Sequence, residues 1–291
     1  MKNFCATLRH DQSGLTRAPW KCAGKPLELL AVLGVAFLTA AASAQGDIHA
    51  NLVVHLTFDG DVLDHSGNGN DGTIVRPGAS SPYVPAIIRQ GFQTVGLPAG
   101  PGIATNNFIT FGSPAGLNFT DTDFSFSWWG QFQPSPTQDE IAWLSNKDWT
   151  SGSLTGWVLA SGDTLQPGQF KWNYRARGEG RRDSPLVGAG LDDGNWHHYV
   201  VTFTRQGDAL TYLDGVQVDD TPLNSSNPVQ NTFGYPINIF QDGTGDFTDS
   251  GVLSYWNQAA IADLGIWQRA ITADEVATIY NQGVQGISAF D

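Results

Sequence analysis

Cysteine is nearly absent from this chain of 291 residues, which contains only Cys5 and Cys22. Charged residues make up 15%, too few for coiled coils and helix bundles, which are rich in Glu and Lys. Basic residues number 15 against 28 acidic residues, so the net charge is −13. Because contacts with phosphate need Lys and Arg, the sequence argues against a protein that binds nucleic acid.

Hydrophobic residues, in contrast, make up 41% of the chain, enough for a packed core and too many for a disordered protein. Glycine and proline are frequent, with 34 and 15 residues. Abundant glycine and proline with few charges are typical of a globular fold that is rich in turns and loops.

An uncharged run of 14 residues, Leu29–Ala42, follows Lys21 and Lys25 and precedes Ala42-Ser43-Ala44. This pattern predicts a secretory signal peptide over residues 1–44, cleaved before Gln45. The run is too short for a membrane-spanning helix, which needs about 20 residues, although an uncleaved anchor is the alternative. We therefore expect a chain that is secreted or held in the cell envelope, with no transmembrane segment after cleavage. Because both cysteines precede the cleavage site, the mature chain would contain no disulfide.

Residues 45–291 are predicted to form one domain. Hydrophobic and polar residues alternate in many short segments, most clearly in Phe124–Phe132 and Gln169–Arg175, as expected for strands with one buried face. Asp214-Gly215 between two such segments predicts a two-residue hairpin turn. Regular short strands with frequent turns predict an all-β sandwich. The predicted strands are 52–58, 72–75, 91–95, 106–111, 124–132, 140–145, 156–161, 169–175, 196–204, 209–213, 216–219, 237–240 and 260–267.

One helix is predicted, close to the carboxyl end. Thr272 is the expected N-cap, and Glu275 three residues later completes a capping box. Val276, Ile279 and Tyr280 form its apolar stripe. Gly283 is expected to end the helix, since glycine is common just past a helix end.

Several motifs together identify a family. They are Phe58-Asp59-Gly60-Asp61, Asp64–Gly72, Phe124–Trp129, Ser145-Asn146-Lys147-Asp148, Trp196–Phe203, Tyr212–Val216 and Ile261–Trp267. In this order they resemble the laminin-G-like domains of the concanavalin A-like lectin/glucanase superfamily. The resemblance implies an all-β fold, a two-sheet antiparallel jelly-roll sandwich with one short C-terminal helix. It also implies a recognition role, since the family includes sugar-binding, protein-binding and adhesion modules.

The resemblance further implies a structural calcium ion between the opening and closing strands. Asp263, in an otherwise apolar strand, and Asp59 would supply carboxylates, because a buried carboxylate is costly unless it is paired or metal-bound. Calcium needs six to eight oxygen ligands, so Asp61, Asp64 and Asn68 are secondary candidates. The alternative is that these residues form turns by bonding to their own backbone.

Two other polar groups are interpreted as structural. The loop Asp242–Asp246, with Asp249, has the oxygens to bind calcium or sugar hydroxyls, but a solvated turn is the favoured interpretation. His197 and His198 are neighbours in a predicted strand, so their side chains point to opposite faces and cannot chelate one ion together.

An arginine-rich loop gives the sharpest hypothesis about a ligand. It follows a strand that carries Trp172 and Tyr174. Guanidinium groups bind sulfate and carboxylate in a bidentate manner, and aromatic faces suit sugar rings, so an anionic glycan or acidic partner is predicted here. The alternatives are a mobile surface loop and core positions for both aromatic residues. The arginines are Arg175, Arg177, Arg181 and Arg182.

Three tryptophans, Trp149, Trp157 and Trp256, stand in stretches rich in Gly, Ser and Asn, so we expect some of them to be exposed. An exposed indole beside polar groups suits stacking on a pyranose ring.

Catalysis has little support. A glycosidase needs two carboxylates that flank the scissile bond. Glu140, Glu179 and Glu275 are the only glutamates after residue 44, and no spacing singles out a pair. The leading function is therefore a secreted, non-catalytic module that binds a polysaccharide or glycoconjugate. The first alternative is an extracellular protein-binding or adhesion domain, and the second is a divergent polysaccharide hydrolase or lyase.

Overall fold

The structure is a computed structural model that describes residues 46–78, 80–97, 105–133, 140–149, 154–162, 168–229, 234–247 and 259–291. These residues belong to one compact unit, Ser43–Asp291. The predicted signal peptide lies outside them. Among these residues, no helix has both the length and the apolar character needed to cross a membrane.

The described chain is nearly all β-structure, with one α-helix, α1 (Ala273–Gly283), and a 3₁₀ turn at Ala115–Leu117. The strands are β1 (Leu52–Leu56), β2 (Thr73–Val75), β3 (Tyr83–Pro85), β4 (Gln90–Gln93), β5 (Gly96–Leu97), β6 (Thr105–Asn106), β7 (Phe108–Gly112), β8 (Phe124–Gln131), β9 (Ile141–Ser145), β10 (Gly156–Ser161), β11 (Phe170–Arg175), β12 (Arg182–Asp183), β13 (Trp196–Phe203), β14 (Asp208–Leu213), β15 (Val216–Pro222), β16 (Ile237–Ile239) and β17 (Ala260–Trp267).

Two antiparallel sheets form the sandwich, as predicted. Sheet A has the order β15-β14-β13-β8-β17-β4-β3, and β1 also pairs with β17. Sheet B has the order β12-β11-β10-β9-β16-β7-β2. A two-stranded sheet, β5-β6, completes the described strands. The jelly-roll fold class expected from the resemblance is confirmed.

All the segments predicted as strands contain a strand, and their periodicity gives the correct faces. In β11, Phe170, Trp172 and Tyr174 are buried and the residues between them are half-buried. Asp214 and Gly215 have φ of 49° and 77°, as the predicted hairpin turn requires at both central positions. The strands missed from the sequence are β3, β5, β6 and β12, which have two or three residues and show no alternation.

A cluster of aromatic rings joins the two sheets. Trp128 and Tyr199 of sheet A stack with ring centroids 5.2 Å apart and an interplanar angle of 5°. Trp143 and Phe170 of sheet B each lie 5.5 Å from the Tyr199 ring. Such pairs contribute about 0.5–1.5 kcal/mol each beyond the area that they bury. With no cysteine among the described residues, this buried aromatic layer holds the sheets together.

The helix begins as predicted but ends for a different reason. Thr272 and Glu275 form the reciprocal capping box. Gly283 is the last helical residue, yet Gly286 is the glycine that has the left-handed φ, of 77°. A side-chain carbon at Gly283 would lie 2.5 Å from the buried Trp129 ring. Gly283 therefore allows α1 to approach sheet A closely.

We expect Gly283→Ala to lower the free energy of unfolding by about 1–3 kcal/mol, the usual cost of overpacking a core. Alanine normally stabilises a helix relative to glycine, so this loss requires the contact with Trp129 to dominate. Denaturant unfolding measures the change, with Asn281→Ala on the exposed side of α1 as the control. A Gly283→Ala variant as stable as the parent would contradict this packing account.

Candidate functional site

The arginine-rich loop connects β11 to β12, and the register of these strands separates its arginines. Asp183 pairs with Asn173, and Arg182 pairs with Tyr174. Because side chains alternate along a strand, Arg182 lies on the side of the buried Tyr174, whereas Asp183 lies on the outer face of sheet B. Arg182 is 3.9 Å from Glu179. Only part of the predicted arginine cluster therefore faces outward together.

The outer face of sheet B carries a cluster of positively charged residues. Of the ten basic residues after residue 44, six lie between residues 147 and 182. Arg175 pairs with Gly156 and Lys171 pairs with Ala160, so both side chains lie on the outer face. Arg181 adjoins them and pairs with Asp183 at 2.9 Å. We call the outer surface formed by Lys171, Arg175 and Arg181, with the buried Lys147 close to them, the basic face.

Arg177 and Lys171 each contact another segment of the chain. Arg177 is exposed at the loop tip, where its backbone N–H donates to the carbonyl of Pro228. Lys171 forms an ion pair with Glu140, the residue that precedes β9. The ion pair with Glu140 therefore fixes the position of Lys171 on the basic face.

Trp149 lies beside the basic face. Its backbone and its ring are held by contacts that the sequence does not predict. Its backbone N–H donates to the Asp242 carboxylate at 2.9 Å, and its ring stacks on Phe247 at 4.9 Å and 14°. Asp242 is only 1% exposed and also accepts bonds from Thr244. Burial raises the pKa of Asp242. The interpretation of this loop as a solvated turn is thus wrong for Asp242, whereas Asp249 lies outside the described residues.

A small cavity of about 90 Å³ opens on this face. Trp149, which is half-buried, lies on one side of it, and hydrogen-bonding side chains from β11 and β12 lie opposite. The cavity thus combines an indole with amide, hydroxyl and charged groups. Its polar lining residues are Lys171, Asn173, Arg181, Asp183 and Ser184.

Lys147 is the residue that sequence reasoning missed, although it lies in a motif used to identify the family. It is 1% exposed. Burial, together with Arg181 and Arg175, lowers its pKa to about 8, while Asp183 and Asp148 act in the opposite direction. No local sequence signal marks a buried lysine, because its burial comes from neighbouring strands.

The aromatic residues predicted as a sugar platform lie elsewhere. Trp172 and Tyr174 are 2% and 0% exposed, and Tyr174 stacks on Phe203 of sheet A. Trp157 is fully buried as well. Trp256 lies outside the described residues. These three described rings belong to the core, so the available indole in this region is that of Trp149.

The residues near the start of the fold act as turn formers. The Asp64 carboxylate accepts bonds from the backbone of His55, Ser66 and Asn70 and from the Ser66 hydroxyl. Those backbone bonds and the hydroxyl bond outweigh burial and lower the pKa of Asp64. The Asn68 amide donates to the Leu52 carbonyl at 2.9 Å. Both side chains are fully engaged by protein groups.

Asp263 is buried in β17, at a position with φ of 46° where the pairing with β8 is irregular. Its Oδ1 accepts a bond from Ser288 at 2.8 Å and lies 3.0 Å from Nε2 of His55. Its Oδ2 has no hydrogen-bond partner among the described residues. An imidazole and a hydroxyl thus contact one carboxylate oxygen of Asp263, and no described group bonds to the other.

Asp59 and Asp61 lie in a separate cavity of about 470 Å³ beside His55 and His65. Asp61 also accepts a backbone bond from Leu63, as a turn residue does. Within the described ranges, no three His, Asp or Glu side chains are arranged to hold a metal ion. Calcium also binds backbone carbonyl and amide oxygens, and it stays a prediction of the resemblance.

The histidine pair has structural contacts on opposite faces. His197 lies 2.8 Å from Asp214 and 3.2 Å from Asp193, and the bond to Asp214 raises the pKa of His197. His198 is buried against Ser127, and burial lowers its pKa to about 3. The two rings do not face one common site.

All three glutamates after residue 44 are engaged in structural contacts. Glu140 pairs with Lys171 and Glu275 caps α1, where it also binds Arg269. Glu179 accepts bonds from Ser225 and from the backbone of Asn227. Each carboxylate thus has a packing or capping role.

The resemblance predicts a higher thermal unfolding midpoint in millimolar calcium than in chelator, because an ion would bind Oδ2 of Asp263, which has no hydrogen-bond partner among the described residues. A gain of 1 kcal/mol would raise the midpoint by roughly 2–4 °C in a domain of this size. Differential scanning calorimetry measures the two midpoints. Asp263→Asn should abolish the rise, and equal midpoints of the parent in calcium and in chelator would contradict the predicted metal site.

Comparisons with known proteins agree with this architecture. The model of the Laminin_G_3 family, described as the concanavalin A-like lectin/glucanases superfamily, matches residues 104–277. The sequence has no match among curated proteins.

Several solved toxin binding domains have similar folds. The binding domain of Paraclostridial Mosquitocidal Protein 1 is 20% identical, with a TM-score of 0.63 over 81% of this chain and 53% of that one. The botulinum neurotoxin serotype G binding domain is 17% identical, with a TM-score of 0.57 over 79% and 50%. A structure of botulinum neurotoxin type C, whose cell entry depends on two ganglioside molecules, is 12% identical, with a TM-score of 0.59 over 82% and 53%. The chain spans about half the length of these structures, and at these identities the likeness shows the fold alone.

Proposed function

Because the chain belongs to the Laminin_G_3 family of the concanavalin A-like lectin/glucanase superfamily, we propose that it is a non-catalytic recognition module that binds carbohydrate on the basic face. The observation that carries this proposal is the half-buried indole of Trp149 beside a cavity with amide, hydroxyl and charged groups. That combination matches the two surfaces of a sugar, an apolar ring face and a rim of hydroxyls.

The position of Trp149 is well suited to stacking. Asp242 and Phe247 fix its backbone and one side of its ring, so little conformational freedom is lost when a ligand binds. Asn173 and Asp183 face each other across β11 and β12 at the cavity. Together they offer both donors and acceptors to sugar hydroxyls.

The fold relatives are consistent with this role. Botulinum neurotoxin type C, which shares the fold, interacts with gangliosides, and these are glycoconjugates. The proposal includes export through the predicted signal peptide and action outside the cell. N-terminal sequencing of the protein from its host tests the export step, with Gln45 as the expected first residue.

We expect the purified protein to bind a subset of glycans on an array and Trp149→Ala to abolish that binding, because the stacking surface is lost. Stacking of a nucleic-acid base on an aromatic ring is worth about 1–3 kcal/mol, and on that scale the affinity should fall about fivefold to 150-fold. Array fluorescence followed by calorimetry measures the change.

The matched control is Trp196→Ala, which removes a half-buried tryptophan from sheet A, away from the basic face. Binding by this variant should equal that of the parent. The proposal is overturned if no glycan binds, or if both variants bind as the parent does. In the first case, capture of an extracellular protein partner by the parent would favour the adhesion alternative.

A further inference from the structure

We infer that the ligand of the basic face carries a sulfate or carboxylate group and that this group is the counter-ion of Lys147. The inference rests on the proposed function and names the chemical class of its ligand. It goes beyond the stacking role of Trp149, because an indole alone binds neutral and charged sugars alike.

Lys147 is a buried amine without a counter-ion in the described part of the chain. It is 1% exposed, and no carboxylate of the described residues lies within 4 Å of its ammonium group. Burying an unpaired charge is costly, and natural proteins nearly always pair such a group. In this inference, the counter-ion is an anionic group of the molecule that binds at this face.

The charges around Lys147 do not supply that partner. Arg181 and Arg175 add positive charge, while Asp183 and Asp148 act from a greater distance than an ion pair. Asp183 is also bound to Arg181 at 2.9 Å. From the loop after β16, Asp242 is turned to Trp149 and Thr244 instead. Three cations, Lys147, Arg175 and Arg181, thus lie close together in a chain whose net charge is −13.

Two glycines hold the Lys147 backbone in place. A side-chain carbon at Gly156, on the neighbouring strand β10, would lie 3.1 Å from Cβ of Lys147. A side-chain carbon at Gly243 would lie 3.0 Å from the Lys147 nitrogen, and the Gly243 N–H donates to the Lys147 carbonyl at 2.9 Å. Side chains at either glycine would displace Lys147, so both glycines are needed for the position of its backbone.

The guanidinium group of Arg181 and the ammonium group of Lys147 together favour an oxyanion as the ligand. A guanidinium group binds sulfate or carboxylate through two parallel bonds, and an ammonium group adds a point charge. Trp149 lies at the same cavity as Arg181, so one ligand can place its ring on the indole and its acidic group on the cations. A sulfated or acidic sugar meets both requirements.

The binding test uses matched sugars, N-acetylglucosamine 6-sulfate and N-acetylglucosamine, together with sulfated, acidic and neutral glycan pairs from the array. The parent should bind the charged member at least about tenfold more tightly, as expected for hydrogen bonds to a charged group. Lys147→Met should remove this preference. Arg182→Met, which deletes a charge from the same loop on the other side of the sheet, should retain it.

Stability separates this role from a structural one. Because the pKa of Lys147 is lower in the folded chain than in the unfolded chain, its charge costs stability below about pH 8. Lys147→Met should therefore unfold at the same temperature as the parent or a higher one at pH 7. A lower midpoint would show that Lys147 is needed for packing.

The pH dependence gives a second readout. A sulfate ester keeps its charge across the tested range, so the affinity of the parent should fall as the pH rises through 8 and Lys147 loses its proton. Lys147→Arg, which stays protonated, should bind the sulfated sugar with no such fall. Equal pH profiles for the parent and this variant would contradict the inference.

A third measurement does not depend on any sugar. The chain contains five lysines, so NMR of protein with ¹³C-labelled lysine resolves Lys147, assigned with Lys147→Arg. Inorganic sulfate should raise the Lys147 pKa. If glycans bind but charged and neutral pairs bind equally and sulfate leaves this pKa unchanged, the inference fails and the proposed function stands. If no glycan binds, the proposed function fails, and the sulfate titration still decides whether Lys147 binds an anion.

Discussion

The stacked rings of Trp128 and Tyr199, with Trp143 and Phe170 packed around them, are the contact on which the sandwich depends. They join β8 and β13 of sheet A to β9 and β11 of sheet B. Since no disulfide is available among the described residues, burial of these rings sets the distance between the sheets. Because side chains alternate strictly between the two faces of β11, each aromatic ring that points inward is followed by a polar side chain that points outward. The core thereby fixes where Lys171, Asn173 and Arg175 lie.

A second constraint, the buried carboxylate of Asp242, organises the site on that outer surface. It joins the loop after β16 to Trp149, and the stacked Phe247 belongs to the same loop. The adjacent Gly243 holds Lys147 from one side, and Gly156 makes room for it on the other. The indole and the buried amine are thus placed by the same loop, which explains how a sugar ring and an acidic group can be recognised together. Stability is reduced at Lys147, as is common for groups retained for binding.

The sequence predicts the fold well and the site only in part. Alternation identifies the longer strands, and the Asp214-Gly215 turn and the Thr272–Glu275 capping box are local signals that the structure confirms. The division of the arginine loop between two faces depends on the register of β12, a two-residue strand without a sequence signal. The burial of Lys147 and Asp242 arises from contacts between distant strands and loops. Local patterns therefore give the elements, whereas the charges that matter at the site follow from tertiary packing.

The central claim is that carbohydrate binds on the basic face beside Trp149. Fluorine NMR of protein labelled with 5-fluorotryptophan tests it most directly, since the chain has ten tryptophans and those in the described strands lie in both sheets. Trp149→Phe assigns the Trp149 signal, and the glycan that binds most tightly on the array is then titrated into the labelled parent. We predict that the Trp149 signal shifts most, in proportion to occupancy, while the buried Trp128, Trp143 and Trp267 signals stay in place. A bound glycan that leaves the Trp149 signal unchanged would place the binding surface elsewhere and contradict the account.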